Sequence, residues 1–206
     1  MSEPRPPIES KDGLPVVYAP GRVEWRAWLA AEHARARGVW LAYAKKGSGL
    51  TRVAYDEAVE EALCFGWIDS KPNALDATWS LQLFTPRKPA SAWSRLNKER
   101  VERLAAAGLM APTGLALVEE AKRRGTWAAL DAVEELAVPD DLAAALAADP
   151  VAAGCFAAFP PSSRKNILWW IQSAKRPETR AARVEETVRL ARDNVRANHY
   201  RQPKGS

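Results

Sequence analysis

The sequence has few of the residues from which most catalytic and metal centres are built. Its 206 residues include only two cysteines and two histidines. Cys64 and Cys155 lie in apolar segments, where a free thiol is usually a small buried hydrophobic group, and their spacing fits neither a zinc site nor a disulfide framework. A catalytic triad or a histidine metal site would depend on His33 almost alone. The sequence therefore predicts no metal and no cofactor.

Motifs of the common enzyme classes are also missing. The chain has no HExxH, GxSxG or CxxC motif, and the GSG at residues 47–49 is too short for a phosphate loop. The first 13 residues are polar and proline-rich, unlike a signal peptide. No apolar run approaches the roughly 20 residues that a transmembrane helix requires. We therefore expect a cytoplasmic protein without a membrane span.

Positive charge is in modest excess. Lys and Arg number 30 against 25 Asp and Glu, which gives a formal net charge of +5. This balance favours anionic partners such as phosphate esters, nucleic acid, acidic headgroups or carboxylates. With 47% hydrophobic residues, the chain can also form a buried core.

The hydrophobic pattern changes near residue 108. Before it, strand-like and helical segments alternate, and the clearest strand, ATWSLQLF, places Trp79 and Leu81 on one face and Ser80 and Gln82 on the other. After it, Ala-rich helices follow one another. The predicted elements of the first part are strands at 14–19, 39–46 and 77–84 and helices at 23–38, 55–66 and 91–107, the last capped by Ser91. The predicted helix starts of the second part are Pro112, Pro139, Pro150, Pro177 and a serine cap at Ser162 or Ser163.

We therefore predict an α+β protein with a small mixed or antiparallel sheet in its N-terminal half and an all-helical C-terminal half. The predicted regions are a flexible N-terminus at 1–13, an α+β region at 14–108, a helical region packed against it at 109–195, and a flexible tail at 196–206.

One block, residues 62–94, combines features that packing alone does not require. Arg87 and Lys88 lie between two prolines, directly after a strand and before the helix expected to start at Ser91. The free N–H groups and dipole of a helix N-terminus attract anions, and an arginine can hold a carboxylate or phosphate with two parallel hydrogen bonds. The sequence therefore predicts a site for a small anionic ligand near Arg87.

Other residues could complete this site. Trp67 and Trp93 would wall it, and Lys45 and Lys46 would add positive charge if their strand neighbours that of Arg87. A structural interpretation stays open for each residue, since Trp79 and Trp93 could be core, Ser91 only a helix cap, and Arg87 the ion-pair partner of Asp69 or Asp76. Cys64 is a poor nucleophile candidate, because a buried thiol has a raised pKa.

Four segments resemble the YdeI/OmpD-associated family, also called bacteriocin-protection proteins. They are GVWLAYAKK, YDEAVEEALCFGWIDS, FTPRKPASAWSRLNKERVERLAAAGLM and AKRPETRAARVEETVRLA, and the resemblance runs from about Val23 to Ala191. It implies a bacterial stress- or resistance-associated protein and brings no established reaction or cofactor. The motif positions that it marks are Lys45, Lys46, Cys64, Trp67, Asp69, Arg87, Ser91, Trp93 and Asn97, and later Lys175, Glu178, Thr179, Arg180 and Arg183. Arg180 could serve function there or pair with Glu178 or Glu185.

Three hypotheses follow. The first is a module that binds a small anionic ligand through Lys45, Lys46, Trp67, Asp69, Arg87, Ser91, Trp93 and Asn97. The second is an enzyme of unknown reaction, with Asp69 or Cys64 as the reactive group and Arg87 as the substrate clamp. The third is an interaction module for a protein partner. The mixed charge of the C-terminal helices argues against specific nucleic-acid binding.

Overall fold

The computed structural model describes residues 5–199, and the chain divides into two compact units after Ala128. The hydrophobic pattern of the sequence predicts a boundary near residue 108 and a second region packed against the first. Each unit has its own core, and the packing of one on the other stays a prediction.

The first unit contains a five-stranded sheet with helices, which confirms the α+β prediction. Its elements are β1 (Ser10–Lys11), β2 (Leu14–Tyr18), α1 (Arg22–Glu32), β3 (Val39–Ala44), α2 (Tyr55–Cys64), β4 (Trp67–Ala74), β5 (Trp79–Pro86), α3 (Arg95–Ala106) and α4 (Pro112–Arg123). The strand order is β1-β2-β3-β5-β4, with β2 and β3 parallel and the other neighbours antiparallel. All six residues of β3 are buried, as expected for a central strand.

Helices α1 to α4 and one face of the sheet enclose the main core. Trp25 stacks on Trp28 with ring centroids 5.3 Å apart, and Trp28 meets Trp67 edge-on at 6.0 Å. The opposite face carries a smaller cluster around Trp40 and Trp79. Residues on β3 and β5 therefore alternate between two apolar clusters, as the period of a strand requires.

Strand β4 was not predicted from the sequence, which assigned a loop to its Pro-Asn segment. The strand is tolerated because it lies at the sheet edge, where the missing N–H of Pro72 breaks no ladder between two neighbours. The register also shifts between Asp69 and Pro72, which marks a β-bulge.

The second unit is helical. Its elements are α5 (Asp131–Glu134), α6 (Asp140–Ala147), α7 (Pro150–Ala158), α8 (Pro161–Gln172) and α9 (Pro177–Arg192). Pro150 and Pro177 open helices as predicted, whereas Pro139 is the residue before α6. The expected serine cap of α8 is wrong, because this helix begins at Pro161, whose fixed φ suits a first helical position.

The core of the second unit is formed mainly by apolar residues of α6 to α9. Its fully buried members include Leu142, Ile167 and Ile171. Across residues 5–199, no helix is both long and apolar enough to cross a membrane.

Candidate functional site

Arg87 begins the segment that leaves β5. Its backbone N–H donates to the Gly66 carbonyl at 2.9 Å, which continues the pairing with β4 by one residue. Its side chain does not extend into solvent: the residue is only 7% exposed. The guanidinium carbon lies 3.8 Å from the ring centroid of Trp93, and Nη2 donates to the Ala92 carbonyl. The sequence therefore holds a charged group inside the protein against an aromatic face.

The segment that carries Trp93 is fixed from the opposite side by the turn after α4. The Trp93 N–H donates to the Thr126 carbonyl at 3.3 Å, and the Thr126 hydroxyl donates to the Pro89 carbonyl at 3.3 Å. The rings of Trp93 and Trp127 pack with centroids 5.1 Å apart. These contacts hold the Trp93 ring, on which the Arg87 guanidinium packs, in place before any ligand binds.

No carboxylate neutralises Arg87 within residues 5–199, and its buried Nε has no hydrogen-bond partner there. Both proposed ion-pair partners are engaged elsewhere. Asp69 accepts from the Tyr55 hydroxyl at 2.5 Å, and Asp76 accepts from the N–H groups of Thr78 and Trp79, each at 2.7 Å. The structural ion-pair interpretation of Arg87 is therefore wrong. Burial without a counter-charge lowers the pKa of Arg87 to about 10.

The helix near Arg87 begins later than predicted. Its N-cap is Ser94, whose hydroxyl accepts from the Asn97 N–H at 3.4 Å, whereas Ser91 lies in a turn closed by its N–H to the Lys88 carbonyl. The first turn of α3 contains no acidic residue, so its positive dipole end stays without an intrahelical anion.

Several predicted site residues lie away from Arg87. Lys45 and Lys46 follow β3, which is antiparallel to β5, so they lie at the opposite end of an eight-residue strand, roughly 25 Å along it. Lys45 instead donates to the Asp76 carbonyl at 2.6 Å. The two lysines therefore add no positive charge near the Arg87 guanidinium.

Trp67, Cys64 and Asn97 have structural contacts. Trp67 is buried in the core and donates to the His33 carbonyl at 3.3 Å. Burial raises the pKa of the Cys64 thiol, which makes it a poor nucleophile. Asn97 accepts a hydrogen bond from Arg100 at 3.1 Å. Of the predicted residues, the structure brings Arg87 and Trp93 into direct contact, with Ser91 in the segment between Arg87 and α3.

Asp69 is directed towards a different polar region. Its register partner is Phe84, three positions from Arg87, and its oxygen binds Tyr55 at the start of α2. A cavity of about 220 Å³ lies beside Tyr55 and Tyr43. An enzyme using Asp69 with Arg87 as its substrate clamp is thus not supported by these contacts. Nothing in the sequence around Tyr43 and Tyr55 predicts their role here, although the alternation of β5 indicates a polar strand face.

In the second unit, the motif arginines are held by structural partners. Arg180 grips Asp141 with two hydrogen bonds of 2.6 and 2.8 Å, and the hydrogen bonds from Arg180 lower the pKa of that carboxyl. The suggested partners Glu178 and Glu185 are therefore wrong. Arg183 donates to the Trp170 carbonyl and packs on its ring at 5.0 Å. A 630 Å³ cavity lies along α6 and α9.

No group of three or more His, Cys, Asp or Glu side chains within residues 5–199 is arranged to hold a metal ion.

Two family models match the chain. Residues 17–117 match a domain of unknown function, DUF8412, and residues 135–194 match a model described as Bacteriocin-protection, YdeI or OmpD-Associated. No curated protein and no solved structure shows significant similarity to the chain. The second match confirms the family resemblance over part of the chain. The Arg87 segment lies in the first match, to which no function is attached.

Proposed function

The chain carries a YdeI or OmpD-associated domain at residues 135–194, and from this premise we propose that it is a cytoplasmic, stress- or resistance-associated protein that binds a small anionic ligand at Arg87. The two parts of this proposal have different support. The association with resistance follows the family name. The ligand class follows from the chemistry of Arg87 in the first unit.

The observation that carries the anion site is a buried guanidinium without a counter-ion. Isolated charge is costly to bury, so buried arginines are normally paired with a carboxylate. Arg87 is 7% exposed, and within residues 5–199 no acidic side chain pairs with it. A carboxylate or phosphate group of a ligand would supply the missing negative charge and accept from the unpaired Nε–H.

Two neighbouring features favour an anion over any other ligand. Stacking on Trp93 holds the guanidinium plane in one orientation, which lowers the entropy cost of binding. The N-terminal turn of α3 follows within the next residues and contains no acidic side chain. Its N–H groups and dipole favour negative charge at the same end of the helix.

Cytoplasmic location is supported by the thiols. Cys64 and Cys155 are both free, and free cysteines are usual in reducing compartments. Fractionation of cells that express the full chain tests this part. Recovery with a secreted or membrane fraction would contradict it.

Isothermal titration calorimetry with inorganic phosphate, sulfate and acetate tests the anion site. We expect at least one of them to bind the wild type, and Arg87→Met to weaken that binding about 100-fold, the effect of roughly 3 kcal/mol of charged hydrogen bonds. Arg87→Lys should recover only part, because lysine keeps the charge without the planar pair of donors.

The matched control is Arg123→Met, which removes the same charge from a side chain that is 74% exposed. It should leave the dissociation constant unchanged. Equal binding by wild type and Arg87→Met, or equal weakening in both variants, would reject a site at Arg87 and leave only non-specific attraction.

A further inference from the structure

The helix-facing side of the sheet changes from apolar to polar along its length. In the pairing of β3 with β5, Val39 lies opposite Phe84, but Leu41 lies opposite Gln82 and Tyr43 opposite Ser80. The polar pairs lie at the end where Tyr55 begins α2. Strand pairing and the start of α2 thus bring polar side chains from distant parts of the chain together.

These side chains line the cavity of about 220 Å³. Its walls include Tyr43, Arg52, Tyr55, Pro72, Ser80 and Gln82. Pro72 lies opposite Gln82 directly after the β-bulge, where the irregular register interrupts the edge of the sheet. The volume suits a ligand smaller than most cofactors, since drug-sized pockets are usually larger than about 300 Å³.

One polar group of this lining, the Tyr43 hydroxyl, is buried without a partner in the described part of the chain. Tyr43 is 7% exposed, and its hydroxyl has no hydrogen bond within residues 5–199. Gln82 is 8% exposed and lines the same cavity. Buried hydroxyl groups are normally satisfied, and here the unsatisfied hydroxyl belongs to a residue that lines the cavity together with the Gln82 amide.

The charge around the cavity is balanced. Arg52 contributes a positive group, which donates to the Ala44 carbonyl at 2.9 Å, and Asp69 contributes a negative one, which is bound by Tyr55. Burial is the main reason that the pKa of Tyr43 is raised; Tyr55 and Asp69 raise it further, and Arg52 lowers it. Neither an anion nor a cation is therefore strongly favoured.

We infer that this cavity is a binding site for a small, uncharged, polyhydroxylated ligand, of the size of a polyol or a monosaccharide. A hydroxyl both donates and accepts, so a ligand with several hydroxyls can satisfy the Gln82 amide, the Tyr43 hydroxyl and the free lone pairs of Tyr55 together. The aromatic walls supply apolar contact for its C–H groups. This site is separate from the anion site at Arg87 and does not depend on it.

The test is saturation-transfer NMR and calorimetry with glycerol, ribose, glucose and myo-inositol, and with acetate and phosphate as charged comparisons. We expect saturable binding of at least one neutral compound at millimolar concentration. Gln82→Leu, which keeps the side-chain size, should weaken it about tenfold, and Tyr43→Phe about fivefold, as expected for the loss of two hydrogen bonds and one, respectively.

Arg87→Met is the control that separates the two sites, and it should leave this binding unchanged. Tyr43→Phe should fold with equal or higher melting temperature, because it removes a buried hydroxyl that lacks a partner among the described residues. The inference is overturned if no neutral compound binds the wild type, if Gln82→Leu binds as the wild type does, or if only the anions bind in a Gln82-dependent manner.

Discussion

Replacing Arg87 by methionine should lower the free energy of unfolding by no more than about 2 kcal/mol in buffer without small anions. Burial lowers the pKa of Arg87 from 12.5 to about 10, and at about 1.4 kcal/mol per pKa unit the charged form is disfavoured in the folded state by roughly 3 kcal/mol. Because the folded pKa lies below the unfolded one, this cost is fully present at pH 7 and declines only as the pH rises above about 10. The substitution removes it.

The same substitution removes two favourable contacts. Stacking on Trp93 contributes about 1–2 kcal/mol, and the charged hydrogen bond to the Ala92 carbonyl about 1.5–3 kcal/mol. The gain offsets most of the losses, so we expect a net destabilisation of no more than about 2 kcal/mol. A buried arginine with a true ion-pair partner would differ, since breaking such a pair costs about 3–5 kcal/mol.

Urea denaturation at pH 7, with and without phosphate, measures both quantities. Phosphate at about 100 times its dissociation constant should stabilise the wild type by about 2.7 kcal/mol and Arg87→Met not at all. The control is Glu61→Gln, because Glu61 is 2% exposed and accepts from Arg22 and Arg26 at 2.5 Å each. This variant should lose about 3 kcal/mol. A loss of that size for Arg87→Met without anion would refute the reasoning.

Three further predictions concern the fold. Gly114→Ala places a Cβ 2.2 Å from a backbone oxygen of α2 and should lower the free energy of thermal unfolding by about 3 kcal/mol. Its control, Gly154→Ala, meets nothing within 4 Å and should stabilise α7 by about 0.5–1 kcal/mol. Equal effects of the two variants would contradict the close approach of α4 to α2. Ser94→Ala should lower the free energy of unfolding by about 1 kcal/mol, because it removes the N-cap of α3, and Ser91→Ala by less than about 0.5 kcal/mol. A larger effect of Ser91→Ala would indicate that α3 begins at Ser91. Because the pKa of Asp141 is lowered in the folded state, this carboxylate stabilises the fold above its unfolded pKa, and the stabilisation is lost as the pH falls through the folded pKa. Asp141→Asn should therefore reduce the loss of unfolding free energy at acid pH, by less than about 1 kcal/mol because the side chain is 43% exposed. An unchanged dependence of stability on acid pH would contradict this prediction.

Strands β3 and β5 were predictable because their own side chains alternate or are apolar throughout. Strand β4 was not, because its proline and asparagine are typical of a loop in isolation. Its position at the sheet edge is a tertiary property, and only that position makes Pro72 harmless. The local sequence of β4 does not indicate that it lies at the sheet edge.

The candidate anion site could be predicted only in part, because only those of its residues that are close in sequence form a motif. Arg87 and its aromatic neighbour Trp93 are six positions apart, so motif analysis could find both. The contact of Tyr55 with Asp69 spans 14 residues, and that of Arg180 with Asp141 spans 39. Such pairs depend on how elements pack, and a single sequence contains no direct signal for them.

The central claim is that the unpaired Nε–H of Arg87 receives an anion, and arginine side-chain NMR observes that group directly. In ¹⁵N-labelled protein, the Nε–H resonance that disappears in Arg87→Met should move saturably when inorganic phosphate, sulfate or acetate is added. The midpoint should match the dissociation constant from calorimetry, and Arg123→Met should keep the same shift. An Arg87 resonance that stays fixed throughout all three titrations would contradict the claim.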